Sequence, residues 1–227
     1  MREKYKEEIE SFKKGIGENK DISSIKAAVD QAYQDAKRTF SGIGKYESEK
    51  VVAFDEMEES LKKYFNGTEP KDKEEYNTIH IKWCKSFIKQ FEPSYKVTYG
   101  QAQKIVNMAM KYILCYEVEG KDEKYFEFCH MPLDSYILAW YNRNVAEKSH
   151  RIDTSWSKLG EEEYLEIQDS IKAYCNDWPI FEELSIWRTE RIESILKPIT
   201  KLNTAIKYDA QLLDQALKKL EELGGRI

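Results

Sequence analysis

Apolar side chains recur at steps of three and four along most of this chain, the spacing that gathers them on one face of an α-helix. Tyr5, Ile9, Phe12 and Ile16 form the first such face, stopped by Gly15 and Gly17. Ile25, Val29, Tyr33, Ala36 and Phe40 form the second, which closes at Gly42 and Gly44. A third runs through Val51, Phe54, Met57, Leu61 and Phe65 to Asn66-Gly67, and a fourth from about Asp72 to Phe91, where Glu92-Pro93 breaks it. Thr98-Tyr99-Gly100-Gln101 has the form of a capping box, so a fifth helix is expected to start there. Its wide apolar surface, through Ala102, Ile105, Val106, Ala109 and Ile113, suits a central position.

Pro132 fits the first turn of a sixth helix through Leu133, Ile137, Trp140 and Tyr141, extending towards His150. The aromatic run Tyr125–Cys129 is ambiguous between a helical turn and a short strand. Leu159 to Tyr174 reads as a seventh helix and Leu184 to Ile195 as an eighth, with Pro198 expected to separate a terminal helix. From 199 to 223 the positions Ile199, Leu202, Ile206, Asp209, Leu213, Ala216, Leu220 and Leu223 make a heptad seam interrupted by Asp209. The expectation is one all-α domain over 1–227 of about eight helices, in which 198–227 is an amphipathic terminal helix packed on the N-terminal helix or on a second subunit.

Composition supports this class: 41% hydrophobic and 34% charged residues supply a core, and few Pro and Gly interrupt it. The charged N-terminus and the lack of a long apolar run point to a cytoplasmic protein without a membrane span. Cys84, Cys115, Cys129 and Cys175 are widely spaced and read as reduced structural cysteines.

Charge is uneven. Against a total of −5, the segment Tyr76–Tyr116 carries six lysines and one acid, a net +5. Lys82, Lys85 and Lys89 share one helix face and Lys104 and Lys111 another, and these five are the candidate nucleic-acid-binding residues if both faces turn outwards. The alternative is that they are solvated faces of core helices.

Possible metal sites are thin. Glu127/His130 and Glu147/His150 each have the E-x-x-H spacing of di-metal bundles, with Glu58 or Glu183 as conceivable further ligands, and His80/Cys84 lie one turn apart with Cys129 beside His130. Pro132 and the twenty residues between the two E-x-x-H motifs do not suit facing helices, and His80 sits on an apolar face. No metal and no cofactor are expected, and Gly42-Ile43-Gly44-Lys45 lacks the residues of a phosphate loop.

Arg143 and His150 stand seven residues apart, two turns of a continuous helix, with the polar Asn144 after the arginine. This resembles the R-x(4–6)-H motif of HEPN ribonucleases, which are all-α and act as dimers without a metal. The resemblance covers these eight residues and implies proton transfer by His150 and phosphate binding by Arg143. The leading expectation is nonetheless a non-enzymatic helical module that binds a protein partner or itself, with a nucleic-acid-directed protein as the alternative.

Overall fold

A computed structural model describes residues 1–17, 20–175 and 178–224. It is all-α: eight α-helices with short 3₁₀ turns between them, and no strand among the described residues. Residues Met1–Arg188 form one compact unit and Thr189–Ile227 a second.

The first seven helices follow the apolar spacing. They are α1 (Lys6–Ile16), α2 (Ile25–Ala36), α3 (Glu47–Phe65), α4 (Lys73–Lys89), α5 (Tyr99–Cys115), α6 (Ser135–Asn144) and α7 (Glu161–Cys175). Side chains start several of them: Ser24, Asp72 and Asp134 accept hydrogen bonds from backbone N–H groups of the first turn of α2, α4 and α6. The expected capping box is present on α5, with Gln101 N donating to Thr98 Oγ1 at 3.1 Å and Thr98 N donating to Gln101 Oε1 at 3.0 Å. The aromatic run after α5 resolves into a 3₁₀ turn, Glu123–Phe126.

Helix α5 is the axis of the first unit. Every one of its seventeen residues is buried, because α1, α2, α4 and α7 all pack against it. Helix α3 closes the outside by lying on α2 and α4.

Two helices differ from expectation. Helix α6 ends at Asn144, and His150 lies in a separate 3₁₀ turn, Lys148–His150. Asp134, not Pro132, caps its start, since the Asp134 carboxylate takes both the Tyr136 and Ile137 N–H groups. The second difference is α8 (Pro179–Gly224), a single helix of 46 residues that contains Pro198. A mid-helix proline costs about 3 kcal/mol, but stopping there would require a new helix nucleus, itself about 4 kcal/mol at a nucleation constant of about 10⁻³. The heptad positions 199–223, apart from the exposed Asp209, lie outside the described side chains.

One glycine controls an approach that matters below. A Cβ on Gly100 would stand 2.1 Å from the Trp156 carbonyl oxygen, and Gly100 N donates to Leu159 O at 3.0 Å. The start of α5 therefore touches the backbone of the Trp156–Lys158 turn directly, and Thr98 Oγ1 donates to Ser157 O at 2.5 Å. Gly100→Ala is expected to displace this turn and destabilise the unit by about 1–3 kcal/mol, as overpacking does. Chemical denaturation measures it, and an unchanged midpoint would contradict the contact.

Candidate functional site

A helix buried on every side has no room for unpaired polar groups, yet α5 carries Gln103, Lys104, Asn107 and Lys111 at steps of one, three and four. Beyond the capping residue Gln101, that spacing makes one polar stripe along the helix. Each member is paired, and the partners define two adjoining sites.

Lys104 and Lys111 point inwards. Lys104 Nζ donates to Asp134 Oδ2 at 3.0 Å, and Lys111 Nζ donates to Glu183 Oε2 in a short ion pair. Lys111 is 1% exposed and Lys104 5%. The expectation that these two lysines form an outward patch with Lys82, Lys85 and Lys89 is therefore corrected. The tight packing of four helices around α5 leaves their faces no solvent to reach. The other three, on α4, are exposed, and Lys85 pairs with Glu161 at 3.0 Å.

These ion pairs line a cleft of about 210 Å³ formed by α1, α2, α5, the start of α6, the Trp156 turn and the first turns of α8. Its walls are aromatic: Phe12, Tyr136, Trp156 and Trp187. Lys111 Nζ sits 4.2 Å from the Phe12 ring centroid and 5.5 Å from that of Trp187, while Lys104 Nζ is 6.0 Å from that of Trp156. Opposite, Tyr112 OH donates to Asp35 Oδ2 at 2.7 Å, and the exposed Arg38 stands at the rim. Glu183 is fully buried, and its second oxygen, Oε1, has no hydrogen-bond partner.

The carboxyls titrate differently. Burial pushes Glu183 above the ordinary carboxyl value against the pull of Lys111, and burial likewise raises Asp35 against the Tyr112 hydrogen bond. Asp134 is half-buried, and Lys104 and the Ile137 N–H outweigh its loss of solvation and hold it below the ordinary value. The cleft thus combines a firmly ionised carboxylate with two that hold a proton more readily.

Gln103 and Asn107 face the second site, a closed polar cluster. Asn107 Nδ2 donates to Gln103 Oε1 at 2.9 Å and to Tyr164 OH at 2.8 Å, and His80 Nε2 donates to Asn107 Oδ1 at 3.0 Å. His130 lies against His80, ring centroids 4.5 Å apart, with Nδ1 2.9 Å from Tyr164 OH and Nε2 2.7 Å from Asn77 Oδ1. Burial holds both histidines neutral, His80 with its pKa lowered to about 3 and His130 well below the ordinary value.

The segment His130–Asp134 joins the two sites. Gln168 clamps the Met131 backbone with two hydrogen bonds, and Gln103 Nε2 donates to Leu133 O at 3.2 Å. This irregular stretch is thereby fixed so that Asp134 meets Lys104.

The remaining sequence candidates lie elsewhere. Arg143 and His150 do not share a helix face, because α6 ends between them. Both are exposed, and His150 Nδ1 is 3.0 Å from Ser149 Oγ. His80 and His130 come together, but Asn107, Tyr164 and Asn77 take their ring nitrogens, and no group of three or more potential metal ligands exists among the described residues. Asp35, Asp134, Trp156 and Trp187 were not marked by the sequence, and Glu183 was marked only as a further ligand of a di-metal site, which is not the role it has here. The signal that leads to them is the polar stripe on a helix already expected to be central. No helix among the described residues is long and apolar enough to cross a membrane. No protein-family model, no curated protein and no solved structure matches the chain.

Proposed function

We propose that the unit formed by residues 1–188 binds a small molecule in the cleft between α2, α5 and the start of α8. The observation that carries this reading is Glu183, whose carboxylate is wholly buried with one oxygen on Lys111 and the other without a partner, at the wall of an aromatic cleft. A buried ion pair such as Lys111–Glu183 is a poor means of stabilising a core, since apolar residues of similar size do as well or better. Local departures of this kind mark functional sites, and a concave site with a few convergent polar groups is the usual form of a ligand pocket.

The test is a thermal-shift screen of a chemically broad panel of small molecules. A ligand at 100 times its Kd stabilises the fold by about 2.7 kcal/mol, which raises Tm by roughly 5–10 °C for a unit of this size. Compounds that do so are expected to quench tryptophan fluorescence and to lose their effect on the Trp187→Leu variant. Equal stabilisation of that variant, or no stabilising compound in the panel, would remove the reading.

A further inference from the structure

The cleft also specifies what kind of ligand fits it. Three features of its lining bear on this. The lining includes an acceptor: Glu183 Oε1 is buried and unpartnered, while the ammonium groups of Lys104 and Lys111 are already engaged by Asp134 and Glu183. A buried acceptor without a donor costs about 1–3 kcal/mol, so a ligand N–H that reaches it recovers that amount. The walls are the flat rings of Trp156 and Trp187, which favour a planar body. The rim holds Arg38, exposed and without a hydrogen bond or ion pair among the described residues, whose planar fork suits a phosphate.

Size narrows the class. About 210 Å³ is below the range of about 300–1,000 Å³ typical of pockets for drug-sized ligands. That volume suits one ring system, and Arg38 is an exposed residue of the cleft lining.

Resting on the ligand-binding reading above, we infer that the ligand is an amino-bearing nucleoside monophosphate unit, its exocyclic amine on Glu183 and its phosphate at Arg38. The same unit occurs as a free nucleotide and within a single strand, and a binding experiment separates the sources.

Isothermal titration of the full chain with AMP and CMP is compared with adenosine, with purine riboside 5′-monophosphate, which lacks the amine, and with a short single-stranded oligonucleotide containing adenine. AMP or CMP is expected to bind, and removal of either the phosphate or the amine is expected to weaken binding by about tenfold. Tighter binding of the oligonucleotide assigns the unit to a strand, and tighter binding of AMP assigns it to a free nucleotide. Arg38→Gln is expected to weaken AMP about tenfold and to leave adenosine unchanged, and its exposed position keeps folding out of the result. Equal affinity for AMP and purine riboside 5′-monophosphate, an unchanged Arg38→Gln variant, or no binding of AMP, CMP or oligonucleotide would overturn the inference. If other compounds from the screen still bind in a Trp187-dependent way, the ligand class fails and the cleft stands. If none does, both fail.

Discussion

Replacing Lys111 by methionine is expected to destabilise the first unit by about 3–5 kcal/mol at neutral pH, the range for leaving one member of a buried ion pair alone. Lys111 and Glu183 are essentially inaccessible, and the rings of Phe12 and Trp187 enclose the ammonium. Glu183 Oε1 already lacks a partner, so the substitution would strand both oxygens. The carboxyl then escapes by taking up a proton. Its folded value is raised by burial even beside Lys111, and rises further without it. A carboxyl of this kind lowers stability above its folded pKa and not below its unfolded one. The difference between wild type and Lys111→Met should therefore narrow as pH falls from about 8 towards the ordinary carboxyl range. Urea denaturation at several pH values measures it. A difference below about 1 kcal/mol, or one that does not depend on pH, would contradict the buried pair.

Acid is expected to weaken the wild-type fold well before the ordinary carboxylates titrate. His80 and His130 are neutral in the folded cluster, with pKa values driven below the ordinary 6.5 by burial. Unfolded histidines gain protons as pH drops through that value, whereas the folded ones do not until about pH 3 for His80. Stability is then lost as pH falls below 6.5, at about 1.4 kcal/mol per pH unit for each histidine. Asp134, held low by Lys104, adds loss only near the bottom of this window. Asp35 and Glu183, both raised, offset part of the loss by accepting protons earlier when folded. His130→Gln keeps polar atoms for Tyr164 and Asn77 and removes one titrating group, so the slope between about pH 6 and 5 should fall by about 1.4 kcal/mol per unit. An unchanged slope would mean that His130 is protonated in the folded state.

The helices were legible because burial on one side leaves a periodic trace. Ile25, Val29, Tyr33 and Ala36 or Tyr76, His80, Trp83 and Phe87 announce their faces without reference to any partner. Capping is equally local, and the Thr98–Gln101 box appears as the sequence implies. Pro198 misled because a local rule yields to the length of helix on either side, and His150 because a spacing of seven has meaning only where the helix continues. The site was hidden for a different reason. Lysine at 104 or 111 has the same letter whether it meets water or a carboxylate, and the partners are remote: Asp134 is 30 residues from Lys104, Glu183 72 from Lys111, and Asp35 77 from Tyr112. A fully apolar surround and a lysine stripe on one helix are compatible only if acids come from other elements, and that inference was available from α5 itself.

The central claim is that the Lys111–Glu183 pair exists for the ligand and not for the fold. The double variant Lys111→Met with Glu183→Leu separates the two, because it removes the pair without stranding either charge. Measured by urea denaturation with and without a ligand that stabilises wild type, it should be at least as stable as wild type, since apolar replacements of buried ion pairs are neutral or stabilising by about 1–4 kcal/mol. It should also lose the ligand-induced increase. A double variant as unstable as Lys111→Met alone, with the ligand effect intact, would contradict the account.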